Sequence, residues 1–428
     1  MTTTTAATPA TASATGPAPT YAELRERFAP VLSRIADGAA GRDRDRRLPH
    51  AEVRALAEAG FTAVTVPTAH GGSGADIETF FRLLLDLGEA DSNLPQLLRA
   101  HFAFVNDFLI GSEEGDPGTW FSEIVQGAVF GNASHERSTA TVGDLATTVT
   151  PAADGFRLSG EKHYSTGSIF ADWINVSART PEGRRARVTV GIADAGVTVR
   201  DDWDGFGQTL TGSGSTLFTE VHVPTDRVRV LESRGDGATT TQTSFLQLVL
   251  LASLVGAGRA ALREGIEFVR SRTRVYSQGS GTTAASDPLV QQVVGRLSAK
   301  VASSQDAVLA AARALALAQE SVGEPDHEHL TDAAELRTVQ AQITTVADVL
   351  SVTTELFEVG GASATSRGRA LVRHWRNART LASHNPVIYQ ERAIGDRLLN
   401  GTDLLYFWST GEKRSGLQEQ HVPHPARQ

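Results

Sequence analysis

The 428-residue chain contains no cysteine, which removes disulfides, thiolate metal centres and cysteine nucleophiles from consideration; no metal site is expected. It has no block of positive charge either. Forty basic residues face forty-nine acidic ones for a formal charge of −9, and the one basic run, residues 42–47, is interrupted by two acids. No nucleic-acid partner is expected. Long hydrophobic runs are missing: the most apolar, residues 245–255, falls short of the ~20 a bilayer span needs and contains Gln247 and Ser253. It reads as a buried helix, with no membrane. The first twenty residues are Thr, Ala, Pro and Ser without a basic start or apolar core, which argues against a secretory signal and for a disordered tail over 1–20 and a cytoplasmic protein. No Gly-x-Gly-x-x-Gly follows a strand and opens a helix, so the chain lacks the fingerprint for binding a nicotinamide dinucleotide itself.

What is present is a helix–strand–helix order. Leu24, Phe28, Leu32 and Ile35, then Val53, Leu56 and Ala57, recur at helical spacing, and Gly60 stops the second helix. A glycine-rich turn at 66–74 precedes helices expected at 77–90 and 94–110. Near residue 128 the period changes to two. Strands are expected at 147–150 and 156–163, joined at Asp154-Gly155, a strong hairpin signal, and again at 173–178, 187–193 and 217–223. From residue 241 helical spacing returns, over 245–274, 288–321 and 331–360, with a shorter element around 369–381; long helices with short connections read as a bundle. The expected units are a tail (1–20), an N-terminal helical domain (21–127), a central β-domain (128–237) and a C-terminal helical bundle (238–428).

The densest chemistry lies at residues 373–386, which hold Arg373, His374, Trp375, Arg376, Arg379 and His384. Pro386 ends the element, because proline lacks a backbone donor and restricts the residue before it. With Gly360-Gly361 upstream, Arg376-Asn377-Ala378-Arg379 resembles the C-terminal signature of the acyl-CoA dehydrogenase superfamily. That resemblance implies an α+β chain with an N-terminal helical domain, a central β-domain and a C-terminal four-helix bundle. The catalytic glutamate of the dehydrogenases falls on Asn385, and an amide cannot be a general base. The stretch His374-Trp375-Arg376-Asn377-Ala378-Arg379-Thr380, with His384 behind it, is similar instead to the flavin-dependent monooxygenase branch, dibenzothiophene monooxygenases and sulfur-acquisition oxidoreductases among them.

The resemblance carries over residue by residue. Gly131-Asn132-Ala133-Ser134 matches a flavin-contact motif, with Asn132 on the oxygen-reactive side. Gly160-Glu161-Lys162-His163-Tyr164-Ser165-Thr166 matches the strand along the flavin edge, with Thr166 at the position of a hydroxyl that reaches flavin N5. Trp203 and Ser213 belong to a glycine- and serine-rich loop expected to wall the pocket. Arg274 matches a phosphate-binding arginine, at the end of a helix expected to carry Arg270, Arg272 and Arg274. Asn132, Ser134, Tyr164, Thr166, Ser213, Arg274, Gly360 and Gly361 are thus the cofactor candidates; His384, Thr166 and Asn132 the catalytic ones; His101, Trp203 and His384 the substrate contacts. His384, as an imidazole near neutral pKa, is expected to donate a proton to a departing peroxide or hold a substrate heteroatom. The implied cofactor is FMN rather than FAD, reduced by a separate NAD(P)H-dependent flavin reductase and reacting with O2 to a C4a-hydroperoxyflavin. A small organosulfur substrate and a homotetramer follow from the same resemblance. Nitrogen- or carbon-oxidising members of the branch would share these flavin residues. An acyl-CoA dehydrogenase would need another carboxylate, for which Glu358 and Glu391 are the nearest by sequence. A flavin-free binding or assembly subunit is the remaining alternative.

Overall fold

The computed structural model describes residues 18–111, 117–137, 145–231 and 240–404; the expected tail lies outside them up to residue 17. Six helices come first. They are α1 (Tyr21–Asp45), α2 (His50–Glu58), α3 (Ile77–Ala90), α4 (Asn93–Leu97), α5 (Arg99–Leu109) and α6 (Pro117–Val125). Thr20 and Glu23 form a capping box that starts α1, satisfying amide donors left free at a helix N-terminus. The single helix expected at 94–110 is two: α4 ends at Leu97, Leu98 leaves helical geometry, and α5 restarts at Arg99. This break sets the direction of Arg99 and its neighbours.

The middle of the chain forms one mixed eight-stranded sheet: β1 (Phe130–Ala133), β2 (Thr148–Ala152), β3 (Gly155–Lys162), β4 (Trp173–Arg179), β5 (Arg185–Gly191), β6 (Val197–Val199), β7 (Thr216–Val223) and β8 (Val228–Val230). Its order is β6-β7-β3-β2-β4-β5-β8, with β1 pairing parallel to β4. The Asp154-Gly155 turn joins an antiparallel β2–β3 pair as expected. Strand alternation divides the sheet. Ile174, Val176, Ala178, Ala186, Val188 and Val190 bury one face, while Asn175, Ser177, Arg185 and Arg187, the residues between them, point to the other.

Five helices close the described chain: α7 (Gln242–Ser271), α8 (Pro288–Glu320), α9 (His327–Glu355), α10 (Val372–His384) and α11 (Val387–Asn400). By length and composition α7 could cross a membrane, yet 83% of its most apolar stretch is buried inside the protein; it is the core helix that the expected run 245–255 belongs to. It ends at Ser271, so Arg272 and Arg274 lie beyond the helix rather than on it. Pro386 does not end helical structure. It ends α10 and caps α11, an element absent from the expected pattern. Both helical blocks share one core, in which Phe80 of α3 stacks on Phe245 of α7. The two helices touch through glycines: a Cβ on Gly256 would stand 2.3 Å from the Gly88 carbonyl carbon, so neither backbone could approach so closely with a side chain present.

Candidate active site

A cavity of about 530 Å³ opens between the polar face of the sheet, α5, α7 and α10, within the usual range for a small-ligand or cofactor site. Its strand wall begins with Asn132 of β1 and Ser134, the residue just after it. The parallel β1–β4 register puts Asn132 beside Asn175, and Ser177 donates to the Ser134 hydroxyl at 3.2 Å. Ser168 donates to the Asn132 carbonyl at 2.9 Å, holding the strand end. The Asn175 side-chain oxygen is buried with no protein partner among the described residues. An orphan acceptor of this kind is costly unless a ligand or water satisfies it.

The loop after β6 forms a second wall. Trp203 donates from its indole nitrogen to the Gln208 carbonyl at 3.0 Å, and the Gln208 amide donates to Asn377 of α10 at 2.7 Å. Gly207 lies against α10 so closely that a Cβ would come within 2.0 Å of the Arg376 carbonyl oxygen. Tyr164, held at φ 56°, packs edge-on to Trp203. Three hydroxyls run from this loop into the cavity. Thr211 donates to the Gln208 carbonyl at 2.8 Å, so it accepts from Ser213 at 2.7 Å, and Ser213 in turn accepts from Thr166 at 2.8 Å. With every proton used in that direction, the Thr166 oxygen faces the cavity as an acceptor. A reduced flavin presents an N–H donor at N5, which that oxygen suits.

The third wall is helical. His384 stands at the last turn of α10, its Nε2 3.2 Å from an Arg99 nitrogen of α5. Its Nδ1 lies 3.2 Å from the Asn385 side-chain oxygen. The Asn385 amide nitrogen donates to Gln247 at 2.6 Å, so its oxygen is an acceptor, the Nδ1–H of His384 donates to it, and Nε2 accepts from Arg99. The ring is exposed to the cavity; desolvation by the surrounding protein first, and the charge of Arg99 second, push His384 down to about 3. His384 is therefore a neutral imidazole at neutral pH, not the near-neutral acid expected, and the cation beside it is Arg99. The same causes, desolvation ahead of the charges of Arg99 and Lys162, lower His135, which also lines the cavity.

Asn132, Ser134, Tyr164, Thr166, Trp203, Ser213 and His384 thus meet at one cavity. Four expected site residues do not line it. His101 is fully buried, donating from Nε2 to the Thr62 carbonyl at 2.9 Å and accepting the Phe130 amide at Nδ1 at 3.2 Å. Desolvation pushes it down to about 4, as befits a neutral core histidine tying α5 to β1. Arg274 is exposed beyond α7, and Gly360-Gly361 sit at the end of the α9 segment, where Gly360 packs on Phe268. Sequence reasoning missed Arg99, Asn175, Ser177, Arg185 and Arg187. For the last four the signal existed, as polar residues two apart on strands whose other face is apolar. Asp107 is the acidic residue lining the cavity among the described residues, and it is engaged by Arg187 at 3.5 Å and Gln242 at 2.9 Å. Glu358 pairs with Arg296 away from it, and Glu391 is exposed on α11. Among the described residues, no carboxylate free of an ion pair lines the cavity to serve as a dehydrogenase base.

The models of the acyl-CoA dehydrogenase N-terminal and C-terminal domains match residues 20–115 and 248–388. The chain belongs to the acyl-CoA dehydrogenase family. A dibenzothiophene monooxygenase of Mycolicibacterium goodii is 31% identical over 81% of this chain and 86% of that one. The probable FMNH2-dependent monooxygenase SfnC of Pseudomonas putida is 27% identical over 90% and 96%. FMN-bound TdsC of Paenibacillus sp. A11-2 superposes with a TM-score of 0.79 at 28% identity, covering 89% of this chain and 98% of TdsC. Within the family, the chain falls in the flavin-dependent monooxygenase branch.

Proposed function

We propose that this chain is the oxygenase of a two-component system that uses reduced FMN and O2, through a C4a-hydroperoxyflavin, to oxygenate a small organosulfur compound in the cytoplasm. A separate NAD(P)H-dependent flavin reductase supplies the cofactor. The observation that carries the reading is the cavity itself: its walls offer hydroxyl, amide and guanidinium groups suited to a flavin, and Asp107, the acid that lines it among the described residues, is already paired. Bound reduced FMN would supply the two electrons that activate oxygen. Asn132, Ser134 and Asn175 would orient its ring by hydrogen bonds, and Thr166 would accept from N5. Tyr164 and Trp203 would exclude water, which protects a reactive oxygen species from unproductive loss. His384 would fix the substrate side as a neutral acceptor and donor. Arg274 and Gly360-Gly361 would reach cofactor only across a subunit interface, in line with a homotetramer formed by the C-terminal helices.

The test is turnover under 18O2 with a flavin reductase, NADH, FMN and a panel of sulfides, sulfones and sulfinates. One labelled oxygen is expected in product, dependent on the reductase. NADH oxidation with peroxide and no labelled product from any sulfur compound would refute the assignment.

A further inference from the structure

Gln247 of α7 is a side-chain amide, 7% exposed, on a helix whose next residues, Leu248, Val249, Leu250 and Leu251, are buried and apolar. Burying such a group is costly unless its hydrogen bonds are made. Its Oε1 accepts from the Asn385 side-chain amide at 2.6 Å, and Gln342 of α9 donates to the Asn385 backbone carbonyl at 2.9 Å. Two core helices therefore grip one residue. Pro386 behind it favours an extended backbone at Asn385, observed at φ −129° and ψ 101°, so the side chain starts from a fixed place. From there the bonds run in one direction. Arg99 carries donors only and meets His384 Nε2 at 3.2 Å; His384 Nδ1 meets the Asn385 oxygen at 3.2 Å, and the Asn385 amide ends on Gln247. Every proton in the chain Arg99, His384, Asn385, Gln247 points toward α7.

We propose that Gln247 and Asn385 are positioning residues for the oxygenation: they hold His384 in its Nδ1–H tautomer and keep the Nε2 lone pair turned to the cavity. The link to oxygenation rests on the monooxygenase reading, whereas the tautomer does not. Arg99 fixes the same tautomer from the other side, but it lines the cavity, so any acceptor bound there competes for its donors. Gln247 does not line the cavity and keeps its hold when a ligand enters. A bare Nε2 receives an O–H donor from the cavity. An Asn385 side chain free to rotate would offer its N–H to Nδ1 and admit the other tautomer, which sets Nε2–H against the Arg99 donors.

Solid-state 15N spectra of the histidine-labelled full chain, with and without FMN and with His384→Ala to assign the signal, test this. Turnover of the sulfur compounds with a flavin reductase, NADH, FMN and O2 is measured beside them. The wild type is expected to show a protonated Nδ1 and a bare Nε2. Gln247→Leu should shift the tautomer ratio toward Nε2–H by roughly five- to tenfold, the worth of one hydrogen bond. It should also lower the product formed per NADH, with the KM for reduced FMN unchanged. Gln247→Glu, whose carboxylate only accepts, should restore both. A wild type with Nε2–H, an unshifted ratio in Gln247→Leu, a shift with coupling unchanged, or a folded Gln247→Glu that restores neither would each overturn the proposal. If Gln247→Leu does not fold, Asn385→Ala, at a half-buried position between α10 and α11, decides: the same shift supports the proposal and an unshifted ratio overturns it. The stated tautomer shift in a chain whose wild type yields no oxygenated product would overturn the monooxygenase reading and leave the hold on His384 standing.

Discussion

Lys162 of β3 is fully buried and meets Glu136 at 2.5 Å, with side-chain exposures of 0% and 1%. It also donates to the Ser134 carbonyl at 3.2 Å, so the pair ties the cavity end of β1 to β3. Burial pushes the Glu136 carboxyl up, but Lys162 and the amides of Ala146 and Thr147 outweigh it and hold the group below the usual carboxylate range. Replacing Lys162 by Met leaves a buried carboxylate with only two backbone donors. Removing one partner of such a pair costs ~3–5 kcal/mol. Unfolding entropy of about 2.1 cal/mol/K per residue, over a chain of this length, converts that to a Tm loss of roughly 3–6 °C. Calorimetry of wild type, Lys162→Met and the double variant Lys162→Met/Glu136→Gln would read it. The double variant should recover part of the loss, because no charge is left unmatched. FMN affinity should fall in the single variant as Ser134 loses its anchor. A Tm within about 1 °C of wild type would refute the reasoning.

His384→Ala should keep FMN binding but release more peroxide per NADH consumed, and His384→Gln, which can still accept from Arg99, should restore part of the coupling; unchanged coupling in His384→Ala would count against its position at the substrate. Glu335 of α9 is 4% exposed and accepts from Ser244 of α7 at 2.6 Å. Burial foremost pushes it up to about 7 from 4.5. Its folded pKa lies above its unfolded one, so the folded state holds the proton more tightly, and stability falls as pH rises from about 4.5 to about 7. The loss is about 3 kcal/mol. Glu335→Gln should flatten that dependence and raise the denaturation midpoint at pH 8; a pH slope equal to wild type would refute it.

The order of helices, sheet and helices was readable in the sequence because periods of 3.6 and 2 reflect which faces are buried, and burial is imposed locally along each element. The Asp154-Gly155 hairpin was equally legible, since its turn chemistry is contained in two residues. Asn132, Thr166, Ser213 and His384 could be singled out by their neighbours along the chain. Other features depend on contacts between distant segments. The break at Leu98 that turns Arg99 into the cavity carries no proline or glycine of its own; Pro95 lies inside α4. His101 looked like a pocket residue until Thr62 and Phe130, from other elements, were seen to take both its nitrogens. The state of His384 was set by desolvation from the elements packed around it and by Arg99, 285 positions away, neither of which its own helix encodes. Sequence determined which residue types each element would present; the tertiary structure alone decided which of them would meet, because desolvation and pairing depend on what packs around a group.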